Sequence, residues 1–188
     1  TGYGRDGTIQ GGEFIVAAAG GFRRAAHLRT FPLPGGDAAI LHPWRTALAV
    51  LNAAGIEWRE DLPPVGFATA ADRGLLRRQL DRGLNCPITS SMGRLFDGVA
   101  ALIGLAPSIT YEAEAALALE SLATGVAWPG AALAAYVVEV AEDDAPLIID
   151  WRCVVTSIVD AMRGALPASD LAAGFHAATV RMIVDTCT

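Results

Sequence analysis

The sequence predicts an α/β fold, α+β within this stretch, with short β-hairpins over residues 1–34 followed by a mainly helical part over residues 35–188. Three observations carry that expectation. With 188 residues, 53% of them apolar and 18% charged, the chain has the length and apolar content to bury a core and is far from the charge-dense balance of a disordered segment. Among the first residues, Gly2, Gly4, Gly7, Gly11 and Gly12 alternate with Tyr3, Thr8 and Ile9, a composition suited to tight turns between short strands. After Pro32-Leu33-Pro34-Gly35-Gly36 the apolar spacing changes to the three-and-four step of a helix.

Taken in order, Glu13–Ala18 and Phe22–Phe31 flank Gly20-Gly21 and read as a hairpin. Asp37 is the expected N-cap of a helix whose apolar side carries Trp44, Leu48 and Leu51 and which stops at Gly55. Glu57–Pro64 is polar and proline-containing, hence a loop, and a short helix follows over about Ala70–Leu84. Ser91 caps a helix with Met92, Leu95, Phe96, Val99, Leu102 and Ile103 at helical spacing, and Thr110 caps another through Leu117, Leu119 and Leu122. Tyr136–Val140 and Leu147–Ile149 read as extended, with Glu142-Asp143-Asp144 as a loop between them. Asp150 caps a helix bearing Trp151, Val154, Val155, Ile158 and Met162, stopped by Gly164. Ser169 opens a last one through Leu171, Phe175 and Met182.

Composition also excludes function classes. Fourteen basic against twenty acidic residues give a net charge of −6, which disfavours capture by nucleic-acid phosphates or by an anionic membrane. Every basic residue is Arg, so a P-loop lysine, a Schiff base and a Ser–Lys pair are absent from these residues. Cys86, Cys153 and Cys187 are odd in number and widely spaced, which predicts a reducing, cytoplasmic setting. The opening Thr1-Gly2-Tyr3-Gly4 has neither a basic start nor an apolar run, so no signal peptide is expected and the chain reads as an internal piece. The uncharged run Ser121–Val138 is interrupted by Thr124, Gly125, Pro129 and Gly130, and a buried helix end plus loop fits it better than a membrane span.

Few residues have the spacing of a reactive site. His27, His42 and His176 show no His-x-x-x-His spacing and no neighbouring cysteine pair or carboxylate cluster, so no metal site is expected within the chain. Ser90 and Ser91 lie outside any G-x-S-x-G and Cys86 precedes Pro87, so none reads as a nucleophile. Gly2, Tyr3 and Gly4 form either a pair of β-turns or an anion-binding concavity of converging amides. On the helix from Ser91, Gly93, Asp97 and Gly104 share the face opposite the apolar one. Asp97 is then either a carboxylate open to a vicinal diol or a solvated acid among glycines that serve helix packing. Glu112 falls in the first turn after Thr110, where the helix dipole favours a carboxylate with or without a ligand. Arg73, Arg77, Arg78 and Arg82, interleaved with Asp72 and Asp81, form a basic face that is either solvated or suited to an acidic partner.

Four stretches together resemble the hydrogenase maturation carbamoyltransferase family, HypF: residues 1–14 (TGYGRDGTIQGGEF), residues 27–40 (HLRTFPLPGGDAAI), residues 84–97 (LNCPITSSMGRLFD) and residues 109–112 (ITYE), with a weaker echo at Gly174-Phe175-His176. The resemblance implies part of that family's C-terminal carbamoyl-transfer region, with an actin-like ATPase fold, residues 1–188 being one catalytic region. It further implies ATP or carbamoyl adenylate as bound nucleotide, carbamoyl phosphate and ATP as substrates of the parent, and a divalent metal whose ligands lie outside this stretch. The implied reaction transfers the carbamoyl group to the C-terminal cysteine of HypE. By the same resemblance Gly2, Tyr3 and Gly4 meet phosphate or carbamoyl oxygens, Asp97 holds the ribose, and Glu112 lies beside it. The chain departs from the family at Gln10, where Trp is usual, and at Ala113-Glu114, where Gly-Gln is usual. A hydroxyl acceptor on a small molecule, or a non-catalytic scaffold docking through the arginine face, are the competing readings.

Overall fold

The computed structural model describes residues 2–127, 133–139 and 145–188. The chain opens with two short strands, β1 (Gly2–Tyr3) and β2 (Ile9–Gln10), then a longer hairpin of β3 (Glu13–Ala18) and β4 (Gly21–Leu28), then β5 (Phe31–Pro32). Four helices follow: α1 (Asp37–Leu41), α2 (Pro43–Ala53), α3 (Pro63–Phe67) and α4 (Ala70–Arg82). Strand β6 (Ile88–Thr89) leads into α5 (Met92–Leu102) and α6 (Glu114–Ala123). The C-terminal part is β7 (Val137–Glu139), β8 (Leu147–Asp150), α7 (Arg152–Arg163) and α8 (Ala168–Cys187). This is the mixed α/β class the sequence predicts, strand-rich at the start and mainly helical after, with β6, β7 and β8 set among the helices.

The strands form two sheets, ordered β1-β2-β6-β5 and β3-β4-β8-β7. In each, the inner pair is parallel and both outer pairs are antiparallel. The predicted run Phe22–Phe31 therefore divides: Gly21–Leu28 stays with its hairpin partner, and Phe31 pairs with Thr89 in the other sheet. Trp151 secures the crossover, because its Nε1 donates to the Arg29 carbonyl at 2.7 Å and its ring meets Phe31 edge-on at 5.6 Å. A buried indole needs a partner for its N–H, and the crossover carbonyl provides one.

The helix predicted from Asp37 to Gly55 is two helices. Pro43 removes the donor that a continuous helix needs and keeps His42 out of the helical conformation, at φ −126° and ψ 80°, so α1 ends and α2 restarts with proline in its first turn. Gly36, at φ 57°, occupies the N-cap position predicted for Asp37, which is the first helical residue instead. Helix α6 begins later than predicted: its N-cap is Ala113 at φ 65°, not Thr110. Ser91 caps α5 as expected, its Oγ accepting from the Arg94 amide at 3.3 Å. The predicted last helix opens at Ala168 after Pro167, and α7 follows Asp150, whose carboxylate accepts from the Arg152 amide at 2.9 Å.

The core lies among α2, α5, α6, α7 and α8 and under β4, β5 and β8, around Leu28, Phe31, Leu48, Leu95, Leu119 and Phe175. Helices α2 and α5 cross at Gly98, where an added Cβ meets Thr46 Cγ2 at 3.2 Å. The Pro129-Gly130 interruption, the Glu142-Asp143-Asp144 loop, Thr1 and Val140 lie outside the described residues. Among the described residues no helix is long and apolar enough to cross a membrane.

Candidate functional site

The start of α5 is fixed by the N-terminal strands. The Ser90 amide and the Thr89 hydroxyl both donate to the Ile9 carbonyl, at 3.0 and 2.8 Å, and the Met92 amide donates to the Gly11 carbonyl at 3.2 Å. These bonds hold the first turn of α5 against β2. On its other side the loop before α6 is pinned to α1 by the Ile109 amide donating to the Leu41 carbonyl at 3.0 Å. Between them opens a cavity of about 410 Å³, within the size range of small-ligand sites. Its apolar wall is Ile9, Leu33, Ile40, Leu41 and Ile109, and its polar groups are Arg94, Thr110, Tyr111 and Glu112.

Asp97 lies next to this cavity and not on its wall. Its side chain is 1% exposed, and Arg94 Nη1 stands 3.0 Å from its Oδ2. Burial disfavours the charged carboxylate and pushes its pKa up to about 6, against the opposing pull of the Arg94 guanidinium. The cavity thus meets Asp97 through Arg94. The bare helix face predicted from Gly93, Asp97 and Gly104 does not form, because α5 ends at Leu102 and Gly104, at φ 93°, lies beyond the helix. Gly98 provides the close packing instead.

Glu112 is exposed on the cavity rim and precedes α6, where a first-turn position was expected. The carboxylate that reaches the amides at this turn is Glu114, whose Oε2 accepts from the Thr110 amide at 2.5 Å and from the Thr110 hydroxyl at 3.0 Å. The amide bond lowers the Glu114 pKa, with the hydroxyl adding to it. Through these bonds Glu114 shapes the segment that lines the cavity.

Gly2, Tyr3 and Gly4 are not on the cavity wall. Gly2 and Tyr3 pair with Gln10 and Ile9, and the Gly4 amide donates to the Thr8 carbonyl at 2.8 Å, closing the turn between β1 and β2. Tyr3 is 75% exposed. Asp6 in the same turn accepts from the Thr8 hydroxyl and amide, bonds that lower its pKa to about 2 with help from Arg24. The glycine-rich opening thus forms the turn between β1 and β2, with Ile9 as its link to the cavity.

The three histidines stand apart, His27 on β4, His42 between α1 and α2, and His176 on α8. Among the described residues no three His, Cys, Asp or Glu side chains converge as a metal site. The arginine face is partly engaged in the fold: Arg73 donates to the Val65 and Ala68 carbonyls at 2.8 Å each, and Arg77 covers the Trp58 ring at 4.5 Å. The residue that sequence reasoning missed is Arg94. Its separation of three from Asp97 on one helix is the spacing at which oppositely charged side chains meet.

Residues 1–188 match the family model described as the carbamoyltransferase Kae1-like domain, second subdomain. Carbamoyltransferase HypF of Rhodobacter capsulatus is 50% identical over 123 residues, 65% of this chain and 16% of the relative. That of Synechocystis sp. is 35% identical over 208 residues, 98% of this chain and 25% of the relative. A crystal structure of full-length HypF in the phosphate- and nucleotide-bound form superposes over 100% of this chain and 24% of its own, with TM-score 0.85 and 31% identity. The chain spans a quarter or less of these relatives' length.

Proposed function

This chain belongs to the HypF carbamoyltransferase family, and we propose that it forms part of the site at which a longer ATP-dependent enzyme moves a carbamoyl group from carbamoyl adenylate to the C-terminal cysteine of HypE. The reaction serves nickel–iron hydrogenase maturation, with carbamoyl phosphate and ATP as the parent's substrates. The carrying observation is the cavity between α5 and the Ile109–Glu112 loop, which brings residues of all four family-like motifs to one place. The similar full-length HypF structure is described as nucleotide-bound, which supports a nucleotide as occupant. In this reading residues 1–34 and 35–188 are the β-rich and helical parts of one catalytic region, and the protein is cytoplasmic.

Chemically, a partner thiolate attacks the carbamoyl carbon, a C–S bond forms, the C–O bond to the adenylate breaks, and AMP leaves with the electron pair. No side chain of this chain is needed as nucleophile. Its residues bind and orient: apolar Ile40, Leu41 and Ile109 exclude water around the nucleotide. Glu112 serves the ribose hydroxyls from the cavity wall, Asp97 acts through Arg94, and the turn at Gly2, Tyr3 and Gly4, which is off that wall, serves carbamoyl oxygens in the longer enzyme. In this reading the divalent metal that the family resemblance implies takes its ligands from the longer enzyme, outside the described residues.

The test is titration of the full-length protein with ATP and carbamoyl phosphate, with mass spectrometry of the HypE C-terminal cysteine as the transfer readout. Asp97→Ala is expected to weaken nucleotide binding and slow transfer. Unchanged affinity in a folded Asp97→Ala protein removes Asp97 from the site.

A further inference from the structure

The polar end of the cavity holds a guanidinium with little to bind. The Arg94 side chain is 13% exposed, and its charged neighbour among the described residues is Asp97, at 3.0 Å. Neither Arg94 Nη1 nor Asp97 Oδ2 makes a hydrogen bond of good geometry, although both are buried. Guanidinium carries five donors in a rigid planar fork, and one carboxylate oxygen on one edge leaves most of them without an acceptor. Donors that are shielded from water and unpaired are costly. Arg94 also lines the cavity, where its guanidinium nitrogens other than Nη1 are open to a bound group.

We propose that Arg94 is a ligand-contacting residue of this cavity, taking an anionic phosphate oxygen of the nucleotide, and that Asp97 orients it from beneath. The inference rests on the nucleotide reading above and adds the residue that recognises charge. Arg94 and Glu112 line the same cavity with opposite charges. That polarity sets the direction of the ligand, with phosphate oxygens toward Arg94 and sugar hydroxyls toward Glu112. The planar fork suits a phosphate better than a point charge does, which makes Arg, and not merely a cation, the fitting residue.

The test compares ATP with adenosine, which lacks the phosphates, as ligands of the full-length protein by isothermal titration calorimetry. Arg94→Gln is expected to weaken ATP about ten- to a hundredfold, the range of a charge-assisted contact, and to leave adenosine within about twofold. Arg94→Lys, which keeps the charge and is the gentler change to the fold, is expected to recover part of the ATP loss. The salt dependence of ATP binding is expected to flatten in Arg94→Gln and to persist in Arg94→Lys. Equal weakening of ATP and adenosine, or no weakening of either, overturns the role given to Arg94. Wild-type protein that binds neither ligand overturns the nucleotide reading itself.

Discussion

Replacing Arg94 with Met keeps the length of the side chain and removes its charge, leaving the buried Asp97 carboxyl without the cation 3.0 Å away. In the native protein Asp97 has a pKa of about 6, raised from 3.8, so the folded state holds its proton more tightly than the unfolded state does. The contribution of Asp97 to stability is therefore greatest on the acid side, falls as pH rises from about 4 to about 6, and is flat above, its full cost being about 3 kcal/mol. Without Arg94 the carboxyl is pushed higher still and stays protonated. Keeping an ordinary carboxyl neutral at about pH 7.5 costs at most about 5 kcal/mol, so the variant loses up to about 2 kcal/mol there beyond the native cost. Near pH 5 the native carboxyl is already mostly protonated, and the added loss shrinks below about 0.5 kcal/mol. Urea unfolding followed by circular dichroism at the two pH values measures both numbers. Equal losses at the two pH values, or a larger loss near pH 5, refute the pairing of Arg94 with a buried, raised-pKa carboxyl.

Three further outcomes probe how the fold holds the site. Ser91→Ala removes the hydroxyl that caps α5 through the Arg94 amide and is expected to cost about 1 kcal/mol in thermal unfolding. Gly12→Ala places a Cβ against the Ser90 carbonyl oxygen, with Leu28 Cβ at 3.1 Å, and is expected to cost about 1–3 kcal/mol, read as a lower denaturant midpoint. Leu48→Ala empties a fully buried position on α2 and is expected to cost about 2–5 kcal/mol by the same measurement.

Where the chain carries both a period and a stop, its sequence reads well. Ser91 followed by Met92, Leu95, Phe96 and Val99 has a cap and one apolar face, and α5 forms there. Asp37–Gly55 has the right period throughout, yet Pro43 interrupts it, a backbone effect that apolar spacing does not register. Phe31 belongs by pattern to the preceding strand, and only the crossover that delivers it to Thr89 assigns it to the other sheet. Such a pairing across many residues leaves no local signal. At the site, the prominence of Asp97 was legible and its burial was not, because the glycine taken as its neighbour, Gly104, follows the end of the helix. Arg94 was not read as a site residue, because its place on a cavity wall depends on Ile9 and Ile109, which arrive from distant parts of the chain.

The parallel pairing of Ala26–Leu28 with Leu147–Ile149 also sets a schedule for biosynthesis. A ribosome adding about 5–20 residues each second leaves the inner edge of that early hairpin bare for roughly ten seconds before its mate emerges. Through that interval the edge is a template for any other extended segment nearby, and a chaperone or slow neighbouring synthesis has its greatest effect on yield there.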